Sequence, residues 1–430
     1  MQKNIIRTTL LITGITAGNI TFQAGDWTQY RGPNFDGSSM EKLQINTWPK
    51  GEIKPIWKTP TRLGFSSIAV TKSRVFTIVM ENIEGVERET CLAIDSKTGR
   101  EIWSKTLNIA KYDGGGNSGT KNNKGGDGPR TTPSSDGDNV FILDGRLTLH
   151  CLDAKNGKAK WNVNLIKKYN AQPIRWQNAA TPIIDGDMLF ICGGGKNQSL
   201  LGINKNTGET IWSEESDQMT HASPIVANIH NERQVIFFTQ KGLVACNTKN
   251  GKVLWRAEHP FKISTAASPI VENNIVYCSA GYGVGAAAFE IKNKSGKYSS
   301  HQLWRKPNKL MNHWSTPVCI DGHLYGIFGF KLYGDAPLQC VDLKNGEIKW
   351  SKSGFGPGGV ILVDGKLIAT SDAGEVVIVK ASMESYSEIG RFKAIEGKCW
   401  THGAFSDGQF YIRSTKEAAR FNLKKIFNNN

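Results

Sequence analysis

Eight cysteines offer the first chemistry that spacing alone can test, and they stand at positions 91, 151, 192, 246, 278, 319, 340 and 399. No two are adjacent and none forms a C-x-x-C pair, so the patterns of zinc ribbons, thioredoxin-like redox sites and haem attachment are absent. Cys192 and Cys278 lie inside apolar runs, where a free thiol behaves as a small buried hydrophobe. We therefore expect structural cysteines.

A second set of residues combines strong bases with aromatic and imidazole side chains, each a few residues before the start of a repeated unit. The bases are Arg62, Arg130, Arg175, Lys262 and Lys398, and the ring-bearing residues are Trp176, His221, His313, Trp314, Trp400 and His402. Bases bind carboxylate or sulfate groups, a guanidinium in a bidentate way, and the rings stack on sugars or planar ligands. We predict that these residues form a ligand-binding site at the mouth of a central channel. The alternative is that their side chains only seal that channel.

This second set contains no visible catalytic group. Its segments carry only two acids, Asp127 and Asp217, whereas a general base needs a carboxylate or imidazole near the substrate and calcium needs several oxygen ligands. The histidines come from different units, so a metal would require them to converge. The glycine-rich stretch from Lys111 to Gly128 lacks a Gly-Lys-Ser/Thr that enters a helix, so it is no phosphate cradle. Its composition is typical of a linker, a lid or a partner-binding arm, and we predict neither catalytic residues nor a metal site.

Composition and the N-terminus indicate a soluble exported protein. The chain has 430 residues, a net charge of +15 and 39% hydrophobic residues, without an apolar run of the roughly 18 residues that a membrane helix needs. Lys3 and Arg7 precede an uncharged stretch and small residues, which predicts a signal peptide over residues 1–24. A disordered cytoplasmic start is the alternative. We expect a secreted, periplasmic or cell-envelope protein, with residues 25–50 as an N-terminal extension.

One unit recurs along the chain: an apolar pair, then Asp or Asn, with Gly four residues later and Trp four residues after the Gly. Asp or Asn bonds its own backbone two residues on, and Gly adopts a positive φ without steric cost, so each unit predicts a tight turn between antiparallel strands. The unit occurs six times and ends at Trp103, Trp161, Trp212, Trp255, Trp304 and Trp350. The copy that ends at Trp304 is stretched by four residues.

A second hairpin precedes each unit, often with Pro at the first residue of a strand, where a missing donor costs least. The starts are Ser66-Ser67, Thr132-Pro133, Thr181-Pro182, Ser223-Pro224, Ser268-Pro269, Thr316-Pro317, Gly358-Gly359 and Gly403-Ala404. Eight starts with four short strands each predict an all-β fold, an eight-bladed β-propeller with four-stranded blades over residues 51–425. The last start lacks a fourth strand, whereas Pro55-Ile-Trp57 is an orphan strand, so N- and C-terminal strands should close the ring.

Seven tryptophans occupy one position of this repeat, and a ring buried between adjacent blades explains all of them without any function. They are Trp57, Trp103, Trp161, Trp212, Trp255, Trp304 and Trp350. The repeat glycines and aspartates are likewise expected to make turns.

The repeat resembles the tryptophan-docking repeat of the PQQ-like (pyrroloquinoline-quinone-type) β-propeller family over residues 50–425. The motifs that begin at Asp26 (DWTQYRGPNFDG) and Gly128 (GPRTTP) are also similar to bacterial PQQ-like repeat proteins. The family contains quinoprotein dehydrogenases and a non-catalytic branch similar to the propeller subunit of the outer-membrane β-barrel assembly machinery. The resemblance implies that a dehydrogenase would hold quinone between a Trp and a disulfide of adjacent cysteines, with calcium and an Asp base.

The absent cysteine pair and the sparse carboxylates favour the non-catalytic branch. We predict a non-catalytic propeller that acts as a binding or scaffold module for a protein or for an anionic or glycan ligand, with no cofactor. The alternative is a PQQ-dependent alcohol or sugar oxidoreductase with PQQ and calcium. We expect no nucleic-acid partner, no membrane span and a monomer, and leave association with a membrane surface open.

Overall fold

The computed structural model describes residues 25–45, 48–109, 112, 127–174, 176–263, 265–329 and 335–424. Arg175, the predicted signal peptide and most of the glycine-rich stretch lie outside the described residues. In the described part of the chain, two strands, β1 (Ser38–Ser39) and β2 (Trp57–Pro60), precede eight consecutive antiparallel sheets, the blades. The described helix is α1 (Leu165–Tyr169), which follows the second blade. No helix among the described residues is long and apolar enough to cross a membrane.

The first four blades each contain four strands, which run in order from the inner strand outward. Blade 1 contains β3 (Ala69–Thr71), β4 (Arg74–Ile83), β5 (Val86–Asp95) and β6 (Glu101–Ile109). Blade 2 contains β7 (Ser134–Ser135), β8 (Asn139–Leu143), β9 (Thr148–Asp153) and β10 (Ala159–Asn164). Blade 3 contains β11 (Ile183–Asp185), β12 (Met188–Gly195), β13 (Gln198–Asn204) and β14 (Thr210–Glu214). Blade 4 contains β15 (Ile225–Ile229), β16 (Glu232–Thr239), β17 (Gly242–Asn247) and β18 (Val253–Glu258).

The other four blades complete the ring. Blade 5 contains β19 (Ile270–Glu272), β20 (Ile275–Ala280), β21 (Gly285–Lys294) and β22 (Lys297–Lys306). Blade 6 contains β23 (Val318–Ile320), β24 (His323–Ile327), β25 (Leu338–Asp342) and β26 (Ile348–Lys352). Blade 7 contains β27 (Gly359–Val363), β28 (Lys366–Thr370), β29 (Glu375–Lys380) and β30 (Glu388–Lys393). Blade 8 contains β31 (Ala404–Ser406), β32 (Gln409–Arg413) and β33 (Glu417–Asn422), and β2 is its outer strand.

The predicted eight-bladed propeller and its closure are therefore confirmed. β2 pairs antiparallel with β33, and Trp57 lies opposite Arg420. Arg413 on β32 reinforces the seam between blades 8 and 1, because its buried guanidinium donates to the Thr77 hydroxyl and the Ile78 carbonyl, both at 2.9 Å. Burial lowers the pKa of Arg413 to about 10, so the side chain is still a cation at neutral pH.

The repeat tryptophans link neighbouring blades. Trp57 packs on Gly99 of blade 1, where a Cβ would lie 2.7 Å from the indole, and its Nε1 donates to the Ser96 carbonyl at 2.9 Å. Nε1 of five further tryptophans donates in the same way to a backbone carbonyl of the next blade: Trp103, Trp161, Trp212, Trp304 and Trp350. Trp255 differs, because it faces the stretched unit of blade 5 and donates instead to the Gln234 side chain of its own blade at 2.7 Å.

Blade 7 has no tryptophan in its outer strand. Gly390 stands at the tryptophan position, opposite Ile378 on the neighbouring strand, just as Trp350 stands opposite Cys340 in blade 6. The Trp48 ring, from the N-terminal extension, lies directly against Gly390, and any Cβ there would collide with it. The extension therefore supplies an indole at blade 7 as well as the Trp57 indole at blade 8.

A hydroxyl belt links the inner strands around the channel. It consists of one Ser or Thr just before each of the first six inner strands: Ser67, Thr132, Thr181, Ser223, Ser268 and Thr316. The backbone N–H of Thr132 donates to the Thr181 hydroxyl at 3.0 Å, and the backbone N–H of Thr181 donates to the Ser223 hydroxyl at 2.9 Å. Ser67 bonds Thr132, and Ser268 bonds Thr316, by the same contact. Blades 2, 3, 4 and 6 thus each satisfy a buried N–H of the preceding blade, whereas the Ser268 hydroxyl donates to the Ser223 carbonyl at 2.9 Å.

The hydroxyl belt changes character at blades 7 and 8, where Gly359 and His402 occupy the equivalent positions relative to the inner-strand turns. His402 Nε2 lies 3.2 Å from the Thr316 carbonyl, so its ring spans the place where Gly359 has no side chain. Arg31 from the N-terminal extension donates to the same carbonyl at 3.0 Å.

The channel segment, residues 27–43, crosses the channel and contacts the belt through Arg31. Trp27 exchanges two backbone hydrogen bonds with Val70 of β3, and the Gln29 side chain accepts from Ile184 N of β11 at 2.8 Å. On the opposite wall, β1 pairs in parallel with β27, with Ser38 beside Leu362, so that the sheet of blade 7 has five strands. The extension is thus bonded to inner strands on both sides of the ring.

Thr181→Val should lower the free energy of unfolding by about 1–3 kcal/mol, because the buried N–H of Thr132 loses its acceptor while shape is kept. Urea unfolding followed by tryptophan fluorescence measures the change. Thr106→Val, at an exposed position on β6, is the matched control and should change little. Equal effects of the two substitutions would contradict a stabilising role of the belt.

A chain that begins at Thr61 should lose most of its stability, because blade 8 loses its whole outer strand β2 and the ring loses Trp27, Leu43, Trp48 and Trp57. Each buried tryptophan removed costs about 3–5 kcal/mol. Thermal unfolding measures the effect, and Trp48→Ala in the full chain should give a smaller decrease. An unchanged melting temperature of the shortened chain would refute closure by the N-terminus.

Candidate functional site: the channel mouth

The channel mouth is the face on which each blade connects to the next inner strand. A stack of aromatic side chains from different blades crosses it. Trp400, before blade 8, stacks on Phe65, before blade 1, with ring centroids 5.0 Å apart, and on Trp314, before blade 6, at 4.7 Å. His313 meets Trp314 edge to face at 5.0 Å. Trp314 Nε1 donates to the Pro357 carbonyl at 3.1 Å, so the stack also bonds blade 7.

A buried ion pair lies beside this stack. Lys398 Nζ bonds the Asp127 carboxylate at 2.5 Å, with only 3% of the lysine side chain exposed. The same ammonium lies 5.7 Å from the Phe65 ring centroid and 5.5 Å from that of Trp400, within cation–π range. Because a buried charge is stable only when it is paired, Lys398 and Asp127 mainly satisfy each other and link blades 8 and 2.

A second group surrounds Trp176. The Arg130 guanidinium donates to the Trp176 carbonyl and lies 5.0 Å from the Tyr112 ring centroid. His221 Nε2 bonds the next carbonyl, that of Gln177, at 2.8 Å, and its ring centroid lies 6.4 Å from the Trp176 ring. The Trp176 ring itself is 38% exposed. Burial lowers the pKa of Arg130, but the nearby acidic groups keep it charged at neutral pH.

The other described residues of the predicted site do not join these two groups. Arg62 pairs with Glu81 at 2.8 Å and Glu101 at 2.9 Å on blade 1. Lys262 is exposed. His402 is buried in the hydroxyl belt, and burial together with the Arg31 charge lowers its pKa to about 3, so its ring is neutral. The basic residues therefore do not converge on one point, and their role in ligand binding stays a prediction.

Glu89 and Asp144 form a buried acidic pair that sequence reasoning missed. Glu89 accepts from the Tyr112 hydroxyl and from Gly145 N at 2.9 Å, while Asp144 contacts His150 Nε2 at 2.8 Å. Burial, and then the nearby Asp144 charge, raise the pKa of Glu89 to about 7. One signal was available: Glu89 shares a face of β5 with Cys91 and Ala93, next to an apolar run that predicts a buried strand.

The described residues do not fit a calcium–quinone group. No three His, Cys, Asp or Glu side chains in this part of the chain lie together as a metal site would require. Asp127 is paired with Lys398, and Asp217 is paired with Lys241 at 2.6 Å. The eight cysteines are free thiols, and burial raises the pKa of the Cys399 thiol to about 12. One face of Trp314 is already covered by Trp400.

The fold and its repeats define a PQQ-like β-propeller of eight blades. The family model described as "Outer membrane protein assembly factor BamB" matches residues 87–352, and the chain belongs to this family. BamB of Yersinia pestis is 21% identical over 257 residues, 58% of this chain and 63% of that protein. The tetrathionate hydrolase of Acidithiobacillus ferrooxidans is 30% identical over 138 residues, 31% of this chain and 25% of that enzyme. The chain thus spans less than two thirds of the curated relatives it matches.

Two solved structures share the fold. BamB from Moraxella catarrhalis superposes with a TM-score of 0.58 at 15% identity, over 86% of this chain and 98% of that one. Quinohemoprotein alcohol dehydrogenase from Comamonas testosteroni superposes with a TM-score of 0.61 at 13% identity, over 93% of this chain and 81% of that one. At these identities the likeness concerns the fold alone.

Glu89→Gln should make the protein more stable at pH 8 and reduce its dependence on pH. A raised pKa means that the folded state binds the proton more tightly, so the free energy of unfolding falls as pH rises from about 4.5 to about 7. The loss is on the order of 3 kcal/mol. Urea unfolding between pH 5 and pH 8 measures it, with the exposed Glu87→Gln as control. Parallel pH profiles for wild type and Glu89→Gln would contradict the assignment.

Proposed function

We propose that this chain is a non-catalytic β-propeller of the cell envelope that binds a protein partner as a scaffold. The observation that carries the proposal is that the channel is already filled by the chain itself. The channel segment bonds both walls through β3, β11 and β27, and the stack of Phe65, Trp400 and Trp314 crosses the mouth. The surface left for recognition is the rim of the mouth and the outside of the ring.

The charges at the mouth support the same function. A general base must be able to take a proton from its substrate, whereas Asp127 is bonded by Lys398 and Asp217 by Lys241 and Thr239. These bonds lower the pKa of Asp217 despite its burial, so it is held as a carboxylate and is a weak base. Such pairs rigidify the connections between blades, as a scaffold requires.

The family relationship supports the location and the type of partner. The relative in Yersinia pestis is named outer membrane protein assembly factor BamB, and we extend to this chain an envelope location and a protein partner. The ring acts as a monomer without a cofactor. An anionic or glycan ligand at Arg130 and Trp176 is compatible with this function, because Arg and Trp are also among the residue types enriched at protein interfaces.

A quinone-dependent turnover assay tests the proposal directly. The full chain, incubated with pyrroloquinoline quinone and calcium, should not reduce an artificial electron acceptor with alcohols or sugars, while a quinoprotein alcohol dehydrogenase in the same assay does. The expected result follows because the described carboxylates at the mouth are paired with bases. Sustained turnover that depends on quinone would overturn the proposal in favour of an oxidoreductase.

Site-specific photo-crosslinking tests the scaffold role itself. A photoreactive residue is placed, one position at a time, at exposed positions around the ring in cells of the source organism. We expect a discrete protein adduct from one sector of the ring and none from the others. Uniform labelling, or no adduct from any position, would argue against a protein scaffold.

A further inference from the structure

Three large apolar side chains are exposed on the mouth face of blades 3 to 5. Trp176 precedes blade 3 and is 38% exposed, and Ile263 precedes blade 5 and is 39% exposed. Tyr282, in the turn between β20 and β21 of blade 5, is 38% exposed. Three such residues on neighbouring connections form an apolar sector of the rim.

Hydrogen bonds between the connections join Trp176 to Ile263. The residue after Trp176, Gln177, accepts from His221 in the connection before blade 4. In that same connection the Gln218 carbonyl accepts from Gln240 N at 3.1 Å. The Gln240 side chain then donates to the Ile263 carbonyl at 2.9 Å. This part of the rim is therefore one bonded surface.

The same kind of contact continues from Ile263 to Tyr282. Ala266, three residues after Ile263, donates its N–H to the His313 carbonyl at 2.6 Å. The His313 ring meets the Tyr282 ring edge to face at 5.3 Å. Gly283 N donates to the Met311 thioether at 3.3 Å, which holds the Tyr282 turn against the connection before blade 6.

The two exposed aromatic residues have unfavourable backbone conformations. Trp176 has a φ of 70°, Gln177 of 68° and Tyr282 of 56°, all in the left-handed region that bulky side chains rarely adopt. Such strain persists only where surrounding contacts impose it, and it clusters at binding sites. Arg130 and His221 provide those contacts by holding the carbonyls of Trp176 and Gln177.

The exposed charges around these residues are mostly positive. Lys262 and Lys309 stand within two residues of Ile263 and Met311, and two further exposed bases lie in the β8–β9 and β12–β13 turns, which reach the mouth face as the Tyr282 turn does. In the described part of the chain none of these four bases has an acidic partner within ion-pair distance: Arg146, Lys196, Lys262 and Lys309. Of the acids there, Asp217 and Glu215 are paired with Lys241 and Arg256. Glu258 is the exposed acid of this sector without an ion pair among the described residues.

We propose that Trp176, Ile263 and Tyr282 form the docking surface for an acidic segment of a partner protein that also carries apolar side chains. The inference rests on the proposed scaffold function and specifies its surface and partner chemistry. The rigid aromatic residues act as anchors in the way typical of interface hot spots, and the surrounding bases attract carboxylates and speed association.

Binding of two synthetic peptides to the full chain tests the surface. In one peptide Glu alternates with Leu, and in the other Lys alternates with Leu; fluorescence anisotropy at low and at physiological salt gives each Kd. The Glu peptide should bind, more weakly as salt rises, and the Lys peptide should not. The variant Trp176→Ala with Ile263→Ser should weaken the Glu peptide about tenfold or more, and Lys262→Glu should weaken it further.

The control variants carry the same kinds of substitution, Ile to Ser and Lys to Glu, at positions away from the docking surface. Ile211→Ser, at a residue 51% exposed on β14, and Lys97→Glu, in the turn between β5 and β6, should leave the Kd unchanged. Equal loss in the controls, binding of the Lys peptide as tightly, or binding only to vesicles of anionic phospholipid would overturn the inference. If neither peptide binds while photo-crosslinking still gives a protein adduct, the docking surface is wrong and the scaffold proposal stands.

Discussion

The hydroxyl belt is the constraint on which the ring depends. An inner strand begins at the channel, where its first N–H groups point away from their own blade and away from water. In four pairs of neighbouring blades a Ser or Thr hydroxyl of the next blade satisfies such a group, as Thr181 does for Thr132, so these blades depend on their neighbours. Where blade 7 offers Gly359 instead, the Arg31 guanidinium and the His402 ring bridge the space. Arg31 and His402, whose side chains are of types that often bind ligands, thus serve here to complete the ring.

The same dependence governs the outer edge of the blades. A tryptophan of one blade lies on a turn glycine of the next, and its indole N–H bonds a carbonyl there, so packing and hydrogen bonding act at one contact. Blade 7 lacks this residue and receives Trp48 from the extension. Because its channel and seams are engaged in this way, we place the proposed recognition surface on the rim, where Trp176 and Tyr282 are held in exposed positions.

The sequence predicted most of the ring because its signals are local. The six turn units and the eight inner-strand starts predicted the hairpins of the blades, and the orphan strand at Trp57 predicted closure. The channel segment could not be predicted, since its contacts, such as Arg31 with Thr316, join residues far apart in the chain and carry no periodic pattern. For the same reason the sequence grouped His402 with the mouth residues, although its ring lies buried among belt residues. The belt itself was visible as a Ser or Thr before six inner strands.

The extension also determines the order in which the parts of the protein can fold during synthesis. Strand β2 pairs with β33, and Trp48 packs on Gly390 of blade 7. The extension is synthesised first, so it cannot make these contacts until the C-terminal blades have been synthesised. Blades 1 to 6 can form as synthesis proceeds, whereas contacts of such long sequence separation form late and slowly. Until the C-terminal strands arrive, the ring stays an open arc with free edges at both ends. The unfinished chain must therefore be protected from aggregation for the whole time that its synthesis takes.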